Sequence, residues 1–424
     1  MPDPERGVTA RPVEAGDGPD EPGSPPPHVC FLTSSAPLGP GDSYSPFILG
    51  LAERLSRRGF RVTILMPHVA GSEAREVLRG VRVRRYRYLP RASAETLGMG
   101  GGMLPGLRER RLDLLKVPFL LLGQARALGA LHRADPIRLL HSHWLVPQGA
   151  IGGRFAAARG IPHVATAHGS DLLGLRFPGA AAALRYAART SDRITVNSVA
   201  MKEVLRSRIE EEGEARVVRI GARTPDPASI HGNLELRASL PRAEHVLGFV
   251  GRVVEEKGIL EFVEALAALR EEGESVSGLV VGGGGAEAEA RRLAGELGVA
   301  GAIRFVGAVP PGRVPLHMSV IDVLAVPSHY EAQGLVAIEA MLLGVPVVAF
   351  ETGGLGEVVV DGESGLAVEP GDVPGLASAV RRVLGDGALR RRLARGGRRR
   401  ALEAFTLDGA ADRFAAVYRE LLEG

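Results

Sequence analysis

The chain has 424 residues, of which 45% are hydrophobic and 24% charged, a composition typical of a globular protein with two or three domains. Its 52 basic and 49 acidic residues nearly cancel, so charge gives no reason to expect nucleic-acid binding. The single cysteine, Cys30, excludes an intramolecular disulfide framework and cysteine-based zinc modules.

The first 27 residues form a polar segment rich in proline and glycine. It lacks the apolar stretch of a signal peptide, and we expect residues 1–27 to be a disordered tail. We find no continuous run of about 18 apolar residues, so the sequence predicts no transmembrane helix. Together with the single cysteine, these features favour a cytoplasmic protein.

The folded part begins at residue 28 with a short apolar strand, a glycine-rich turn, an amphipathic helix ended by Gly59 and a second strand. A strand, helix and strand within about 40 residues is typical of a βαβ unit. Further apolar strands separated by alanine-rich helical segments continue the pattern. We therefore predict a first α/β domain with a largely parallel sheet over residues 28–225.

Residues 103–132 have a helical composition, with basic residues on one side and the apolar run Val117 to Leu122. This pattern fits a helix lying on a membrane surface, and it equally fits an ordinary helical segment packed on the sheet. We favour the packed segment and keep peripheral contact with the inner face of the membrane as the alternative.

The alternation of strands and helices restarts after a linker-like stretch at residues 224–233. We predict a second α/β domain over residues 240–404 and a final amphipathic helix over residues 405–424. The expected fold class is α/β, with two Rossmann-like domains facing across a cleft. Ligands of such folds bind outside the carboxyl ends of the strands, so residues that directly follow strands are the candidate site residues.

Two cations follow the first strand of the second half. Gly251 allows a tight turn after this strand, and Arg252 and Lys257 stand beside it. Arginine holds phosphate oxygens bidentately and lysine acts as a point charge, so the pair suits a phosphate ligand. Because the chain has only three lysines, Lys257 is less easily explained by composition. A solvated basic turn is the alternative.

Two glutamates follow another strand of the second half. Glu331 lies in a loop, and Glu339 lies inside a helix that begins near Gly334. The start of this helix offers backbone N–H groups and a positive dipole end to an anion such as a diphosphate. The carboxylates can accept hydrogen bonds from sugar and ribose hydroxyls. A solvated helix face is the alternative, although the apolar neighbours of Glu339 make an unpaired carboxylate costly there.

The first half holds three weaker patterns. His168 precedes a glycine at a strand end and could hydrogen-bond a ligand, although a lone histidine is more often structural. Gly39 and Gly41 form a turn before the first helix that could cradle phosphate, but the turn does not match a dinucleotide fingerprint. His141 and His143 share one face of a strand, and without a visible third ligand we expect no metal there.

In this order the motifs resemble the retaining glycosyltransferases of family 4, which have the GT-B fold. The resemblance covers residues 28–424 and is most specific in the second half, where GRVVEEKG precedes an E-x(7)-E pattern from Glu331 to Glu339. In the first half, LLHSHWLVPQG and VATAHGSDLLG are similar in style to the segments of the acceptor-side domain.

The resemblance implies transfer of a sugar from a nucleotide diphosphate sugar to an acceptor hydroxyl, with no metal and no cofactor. The acceptor would be a sugar, a lipid-linked sugar or a small molecule. Arg252 and Lys257 would hold the diphosphate, Glu331 would face the transferred sugar, and His168 would contact the reaction centre. The final helix would return to the first domain. The implied binding residues are Gly39, Gly41, Gly251, Gln333, Gly334, Leu335 and Glu339.

The chain departs from the family pattern after Glu331, where Ala332 and Gln333 replace the common Pro-Phe or Gly-Phe. The identity of the donor sugar therefore stays open.

Two other functions remain as alternatives. A nucleotide-sugar isomerase, such as a 2-epimerase, would consume a nucleotide sugar without an acceptor. A dinucleotide enzyme is disfavoured because no G-x-G-x-x-G with a downstream acid is present at the expected distance.

Overall fold

The computed structural model describes residues 25–36, 46–97, 111–175, 177–209, 215–230 and 233–424. Nearly all of the predicted tail, as well as Gly39, Gly41 and the first part of segment 103–132, lies outside the described residues.

The first sheet, as far as the described residues show, has eight strands in the order β3-β4-β2-β1-β5-β6-β7-β8. Neighbouring strands are parallel except for β3 and β4. Strands β1, β5 and β6 are buried at every position, as expected for strands covered on both faces. The strands are β1 (His28–Leu32), β2 (Arg61–Pro67), β3 (Arg75–Leu78), β4 (Val81–Tyr86), β5 (Leu139–His143), β6 (His163–Ala167), β7 (Arg193–Val196) and β8 (Ala215–Val217).

The helices described in this part of the chain connect the strands and cover the sheet. Because the strands are mostly parallel, each connecting helix begins at the carboxyl edge of the sheet and returns to the amino edge. The helices are α1 (Pro46–Ser56), α2 (Val117–Ala134), α3 (Ala150–Ala157), α4 (Ser170–Leu173), α5 (Ala180–Arg189) and α6 (Val199–Ile209).

The second sheet is parallel throughout its described strands, in the order β11-β10-β9-β12-β13-β14. Two α/β domains with parallel sheets confirm the predicted fold class. The strands are β9 (His245–Val250), β10 (Val276–Val281), β11 (Ile303–Gly307), β12 (Val323–Val326), β13 (Val347–Phe350) and β14 (Leu366–Val368). The helices are α7 (Asn233–Ala238), α8 (Ile259–Glu271), α9 (Glu287–Glu296), α10 (Val314–Met318), α11 (Leu335–Leu342), α12 (Val373–Gly385), α13 (Gly387–Ala404) and α14 (Leu407–Glu423).

The strand order changes direction at one point in each sheet. Chain connections run outward from β1 on both sides of the first sheet and from β9 on both sides of the second. The loops after strands diverge at such a switch point and leave a crevice for ligands. The candidate residues that follow β9 and β12 therefore meet at one crevice.

The last helix, α14, packs against α1 of the first domain. Phe414 and Tyr418 are fully buried in the core that lines one face of the first sheet. Arg54 of α1 donates a hydrogen bond of 2.9 Å to Asp408 at the start of α14. The chain therefore crosses from the second domain back to the first.

Helix α2 packs one face on the first sheet through the buried Leu120, Leu128 and Leu131. The sequence predicted no membrane-spanning helix, yet residues Leu112–Ala134 are long and apolar enough to cross a membrane by length and composition. Gln124 and Arg126 interrupt this stretch, which is why a search for a continuous apolar run misses it. One third of its most apolar window is buried inside the protein.

Candidate active site

A cavity of about 460 Å³ lies between the two domains, at the carboxyl ends of β6, β9 and β12. The first domain contributes Phe47, Trp144, His168, Ser170, Asn197 and Ile220. The second contributes, among others, Gly251, Arg252, Lys257, Glu331, Gln333 and Gly334. Most of the residues that the sequence pattern selects thus line one cavity.

An ion pair occupies the second-domain wall of the cavity. The ammonium of Lys257 lies 2.6 Å from Oε1 of Glu331, and the hydroxyl of Ser328 donates to the same oxygen over 3.1 Å. Both charged side chains are partly buried. The carboxylate is therefore fixed by two donors, and the cation is held at the cavity wall.

Arg252 is held less firmly than Lys257. Its side chain is 56% exposed and lies 3.8 Å from Glu256, the carboxylate that it faces. An exposed pair at this distance contributes little to stability. Arg252 follows Gly251, whose backbone has a φ of 148°, a conformation that glycine adopts more readily than other residues. Arg252 can therefore turn toward an anion in the cavity at small cost.

Helix α11 directs its N terminus at the cavity. Gly334 precedes the helix with a φ of 85°, and a Cβ there would lie 2.5 Å from the side chain of Leu355. Glycine is therefore required at this turn. Gly334, Leu335 and Val336 all line the cavity, so the backbone N–H groups at the start of the helix lie beside it.

Gln333 joins the two domains through its side chain. Its Oε1 accepts a hydrogen bond of 3.1 Å from the Ile220 amide, and its Nε2 donates to the Ile220 carbonyl. The side chain is buried. The residue that departs from the family pattern therefore fixes the loop before α11 against the first domain.

Glu339 lies beside a different cavity from Glu331. It lines a neighbouring cavity of about 330 Å³ near the connection between the domains, and Leu335 lines both cavities. Burial raises the pKa of the Glu339 carboxyl to about 7. The two glutamates of the E-x(7)-E pattern thus stand on either side of the first turn of α11.

His168 forms part of the first-domain wall. Its ring packs near those of Phe47 and Trp144, with centroid distances of 5.1 and 4.8 Å. Burial lowers the pKa of His168 to about 3, so the imidazole is neutral at physiological pH. The backbone N–H groups of His168 and Gly169 both donate to the buried carboxylate of Asp171 over 3.1 Å. This carboxylate fixes the loop that carries the histidine.

His143 holds the ring of His168 in place. Nδ1 of His143 lies 3.0 Å from Nε2 of His168, within hydrogen-bonding distance. Burial lowers the pKa of His143 well below its usual value. His141, on the same strand, instead hydrogen-bonds Tyr418 and Thr166. Among the described residues there is no group of three or more potential ligands that could hold a metal ion.

Trp144 and Asn197 also line the cavity, although neither was predicted from the sequence. Trp144 directly follows β5 and has a φ of 74°, rare for a bulky residue; its indole N–H donates to Ser170 over 3.0 Å. Asn197 directly follows β7, and its buried Oδ1 has no hydrogen-bond partner within the described part of the chain. Both directly follow strands, as His168 does. The expectation that site residues directly follow strands could therefore have found them.

Two family profiles match the chain. The profile described as Glycosyltransferase Family 4 matches residues 46–224, and that of the Glycosyl transferases group 1 matches residues 235–400. Between them they cover both domains.

Curated relatives match most of the chain. The 2-deoxystreptamine glucosyltransferase of Streptomyces kanamyceticus is 32% identical over 75% of this chain and 87% of its own length. The glycogen synthase of Mycobacterium tuberculosis is 31% identical over 88% of this chain and 92% of its own length.

Solved structures share the fold over most of the chain. Sucrose-phosphate synthase from Thermosynechococcus elongatus is similar with a TM-score of 0.75 and 24% identity, over 94% of this chain and 99% of that one. Anabaena HepE in complex with UDP-glucose is similar with a TM-score of 0.69 and 19% identity, over 93% of this chain and all of that one.

Proposed function

Because the chain belongs to glycosyltransferase family 4 and has the GT-B fold, we propose that it transfers a sugar from a nucleotide diphosphate sugar to an acceptor hydroxyl with retention of the anomeric configuration. The observation that carries the proposal is the Lys257–Glu331 pair beside the N terminus of α11, in a cavity between the domains. The solved complexes of HepE with UDP and UDP-glucose support this donor class.

In the proposed reaction, the bond between the sugar and the diphosphate breaks while the acceptor oxygen bonds to the same sugar carbon. Negative charge grows on the departing diphosphate, and Lys257, Arg252 and the N-terminal amides of α11 stabilise it. The acceptor proton passes to the leaving diphosphate, and attack on the face that this group leaves gives retention. These groups provide the positive charge without a metal or other cofactor.

The two walls of the cavity have separate tasks in this proposal. The second domain binds the donor, with Glu331 facing the sugar and Glu339 reaching the ribose past Leu335. The first domain admits the acceptor hydroxyl beside His168 and Trp144. The acceptor is a sugar, a lipid-linked sugar or a small molecule, and the relative named for 2-deoxystreptamine supports a small ring acceptor. The buried free thiol of Cys30 fits a cytoplasmic enzyme.

Incubation with a panel of nucleotide sugars and acceptors tests the function. We expect release of a nucleoside diphosphate that increases when an acceptor is added, and an unchanged anomeric configuration in the glycoside, read from proton coupling constants. Consumption of the nucleotide sugar without an acceptor, with a new free sugar or nucleotide sugar formed, would instead favour the isomerase.

Glu339 gives the donor affinity a pH dependence. A ribose hydroxyl donates to the ionised carboxylate, whereas protonation of Glu339 removes this acceptor. Since the pKa of Glu339 is about 7, we expect the KM for the donor to be flat above this pKa and to rise below it, by about tenfold per pH unit at the limit. A nucleotide sugar has no phosphate pKa in this range, so ionisation of the donor does not contribute to the pH dependence of KM.

The variant Glu339→Gln provides the matched control for this dependence. Its amide does not titrate, so we expect a raised KM at pH 8 that stays constant down to pH 6, measured by initial rates. Wild-type pH dependence in this variant would show that another group is responsible.

The raised pKa of Glu339 also affects the free energy of unfolding of the protein without donor. Its contribution to stability is fully present below the unfolded pKa of 4.5 and is lost as the pH rises through the folded pKa of about 7.

A further inference from the structure

An exposed apolar stripe runs along α2 and the short 3-10 turn before it, Arg111–Lys116. Leu112, Leu115, Phe119 and Leu122 follow one another at intervals of three or four residues, so they lie on one side of the helix. Their side chains are between 47% and 81% exposed. We refer to these four residues as the apolar patch. A contiguous exposed set of this kind marks an interaction site more often than scattered apolar residues do.

The opposite side of α2 is fixed to the first domain. Leu120, Leu128 and Leu131 are buried in the core beneath the helix, and the Tyr86 hydroxyl donates to the buried Gln124 over 3.2 Å. Crossing a bilayer would remove these side chains from the core and expose the amide to lipid. The helix can therefore lie on a membrane surface with its outer side, but it cannot cross the bilayer without unfolding this part of the domain.

The apolar patch lies at the cleft side of the domain. Helix α2 connects β4 to β5, so its N-terminal end lies at the carboxyl edge of the sheet. Its C-terminal end reaches the amino edge, where the Ile137 amide donates to His132 and the Arg138 amide donates to His28 of β1. His168 lies at the carboxyl edge as well. The patch and the acceptor wall of the cavity therefore share one edge of the sheet.

Basic residues continue the stripe. Arg126 and Arg133 extend it at the same helical spacing, and both are exposed. Within the described part of the chain, neither has a carboxylate partner at ion-pair distance. The one acid between residues 111 and 134 is Asp113, which is buried and pairs with Lys116 over 2.7 Å. Uncompensated positive charge next to apolar side chains is complementary to an anionic lipid surface.

We propose that the apolar patch docks on an anionic membrane surface, with Leu115 and Phe119 entering the interface and Arg126 and Arg133 contacting lipid phosphates. In this docking α2 lies flat on the bilayer with its outer side, and its N-terminal end, at the carboxyl edge of the sheet, lies at the membrane surface. The proposal does not depend on the sugar transfer, because it concerns a surface outside the cavity.

Sedimentation of the full-length protein with vesicles tests the proposal. We expect the protein to pellet with vesicles of phosphatidylcholine and phosphatidylglycerol in equal amounts, and to pellet much less with phosphatidylcholine alone. The double variant Leu115→Glu, Phe119→Glu should lower the partition coefficient by about tenfold or more, because charges replace the apolar side chains that enter the lipid interface. The double variant Arg126→Glu, Arg133→Glu should abolish the preference for phosphatidylglycerol.

Leu234→Glu is the matched control, since this leucine is 80% exposed and lies in α7, away from the patch. It should bind vesicles like the wild type, and all variants should retain the wild-type unfolding temperature within a few degrees. Failure of the wild type to pellet with anionic vesicles, or equal binding by every variant, would overturn the proposal. So would a wild-type dimer in sedimentation velocity that the Leu115, Phe119 variant dissociates, because the patch would then join two copies.

Discussion

Replacement of Lys257 by alanine should lower kcat by about 10²–10³-fold. This is the effect typical of losing one preorganised charge or hydrogen-bond donor that stabilises an anion developing in the transition state. Lys257 lies at the cavity wall, 2.6 Å from Glu331. Its charge acts on the diphosphate most strongly when the bond to the sugar breaks, so the loss should appear in kcat more than in the KM for the donor. Steady-state kinetics with the donor identified by the panel measures both constants.

Lys116→Ala is the control for this variant. The Lys116–Asp113 pair resembles the Lys257–Glu331 pair in its N–O distance, 2.7 against 2.6 Å, and in side-chain exposure, 24% and 11% against 22% and 14%. Both variants remove a partly buried lysine from a carboxylate, so they should destabilise the fold alike. With a soluble acceptor, the kcat of Lys116→Ala should stay at the wild-type value. Near-normal turnover by Lys257→Ala would contradict the role of Lys257 at the diphosphate.

Removal of the imidazole in His168→Leu should lower kcat by about 10²-fold, since a positioned donor or acceptor at the reaction centre is lost. The pKa of His168 is about 3, so the ring acts as a neutral group. Its Nε2 faces His143, which leaves Nδ1 as the ring nitrogen available to a ligand. Because the ring stays neutral, kcat should not depend on the ionisation of His168 between pH 6 and 8.

His143→Leu should lower kcat by about tenfold, which corresponds to one hydrogen bond. His143 acts through His168 as a positioning residue, so the KM for the donor should change little. In His143→Asn an amide nitrogen takes the place of Nδ1, and most of the lost kcat should return. This rescue distinguishes positioning from a general loss of stability.

His163→Leu is the structural control for the histidine variants. His163 is equally buried, but it bonds Ser142 and has no contact with the cavity. We expect a lower unfolding temperature and an unchanged kcat for the folded enzyme. If His143→Leu behaved in the same way, or if His143→Asn were no better than His143→Leu, the positioning role would be wrong.

The α/β class and much of the cavity could be predicted because parallel strands impose a simple rule. Arg252, Lys257, Glu331 and His168 all follow strands whose carboxyl ends meet at the cleft. Apolar strand sequences and glycine turns show where these ends lie, even without coordinates. The same rule covers Trp144, which was overlooked because a lone aromatic residue carries no charge pattern.

Other features depend on side-chain packing that no spacing shows. Sequence cannot show that the Gln333 amide bonds the Ile220 backbone, or that Glu339 lines a neighbouring cavity while Leu335 lines both. Nor does the spacing of His141 and His143 show that one bonds Tyr418 and the other His168. Tertiary packing decides these contacts, within the first domain for the histidines and between the domains for Gln333.

Calorimetric titration with nucleoside diphosphates tests the central claim most directly, namely that the cleft binds a diphosphate through Lys257 and the start of α11. The wild type should bind at least one of UDP, GDP, ADP and dTDP. Lys257→Ala should weaken that binding by about tenfold or more, as expected for a lost charge-assisted hydrogen bond, while Lys116→Ala binds like the wild type. If none of the four bound, or if Lys257→Ala bound with wild-type affinity, the account would be contradicted.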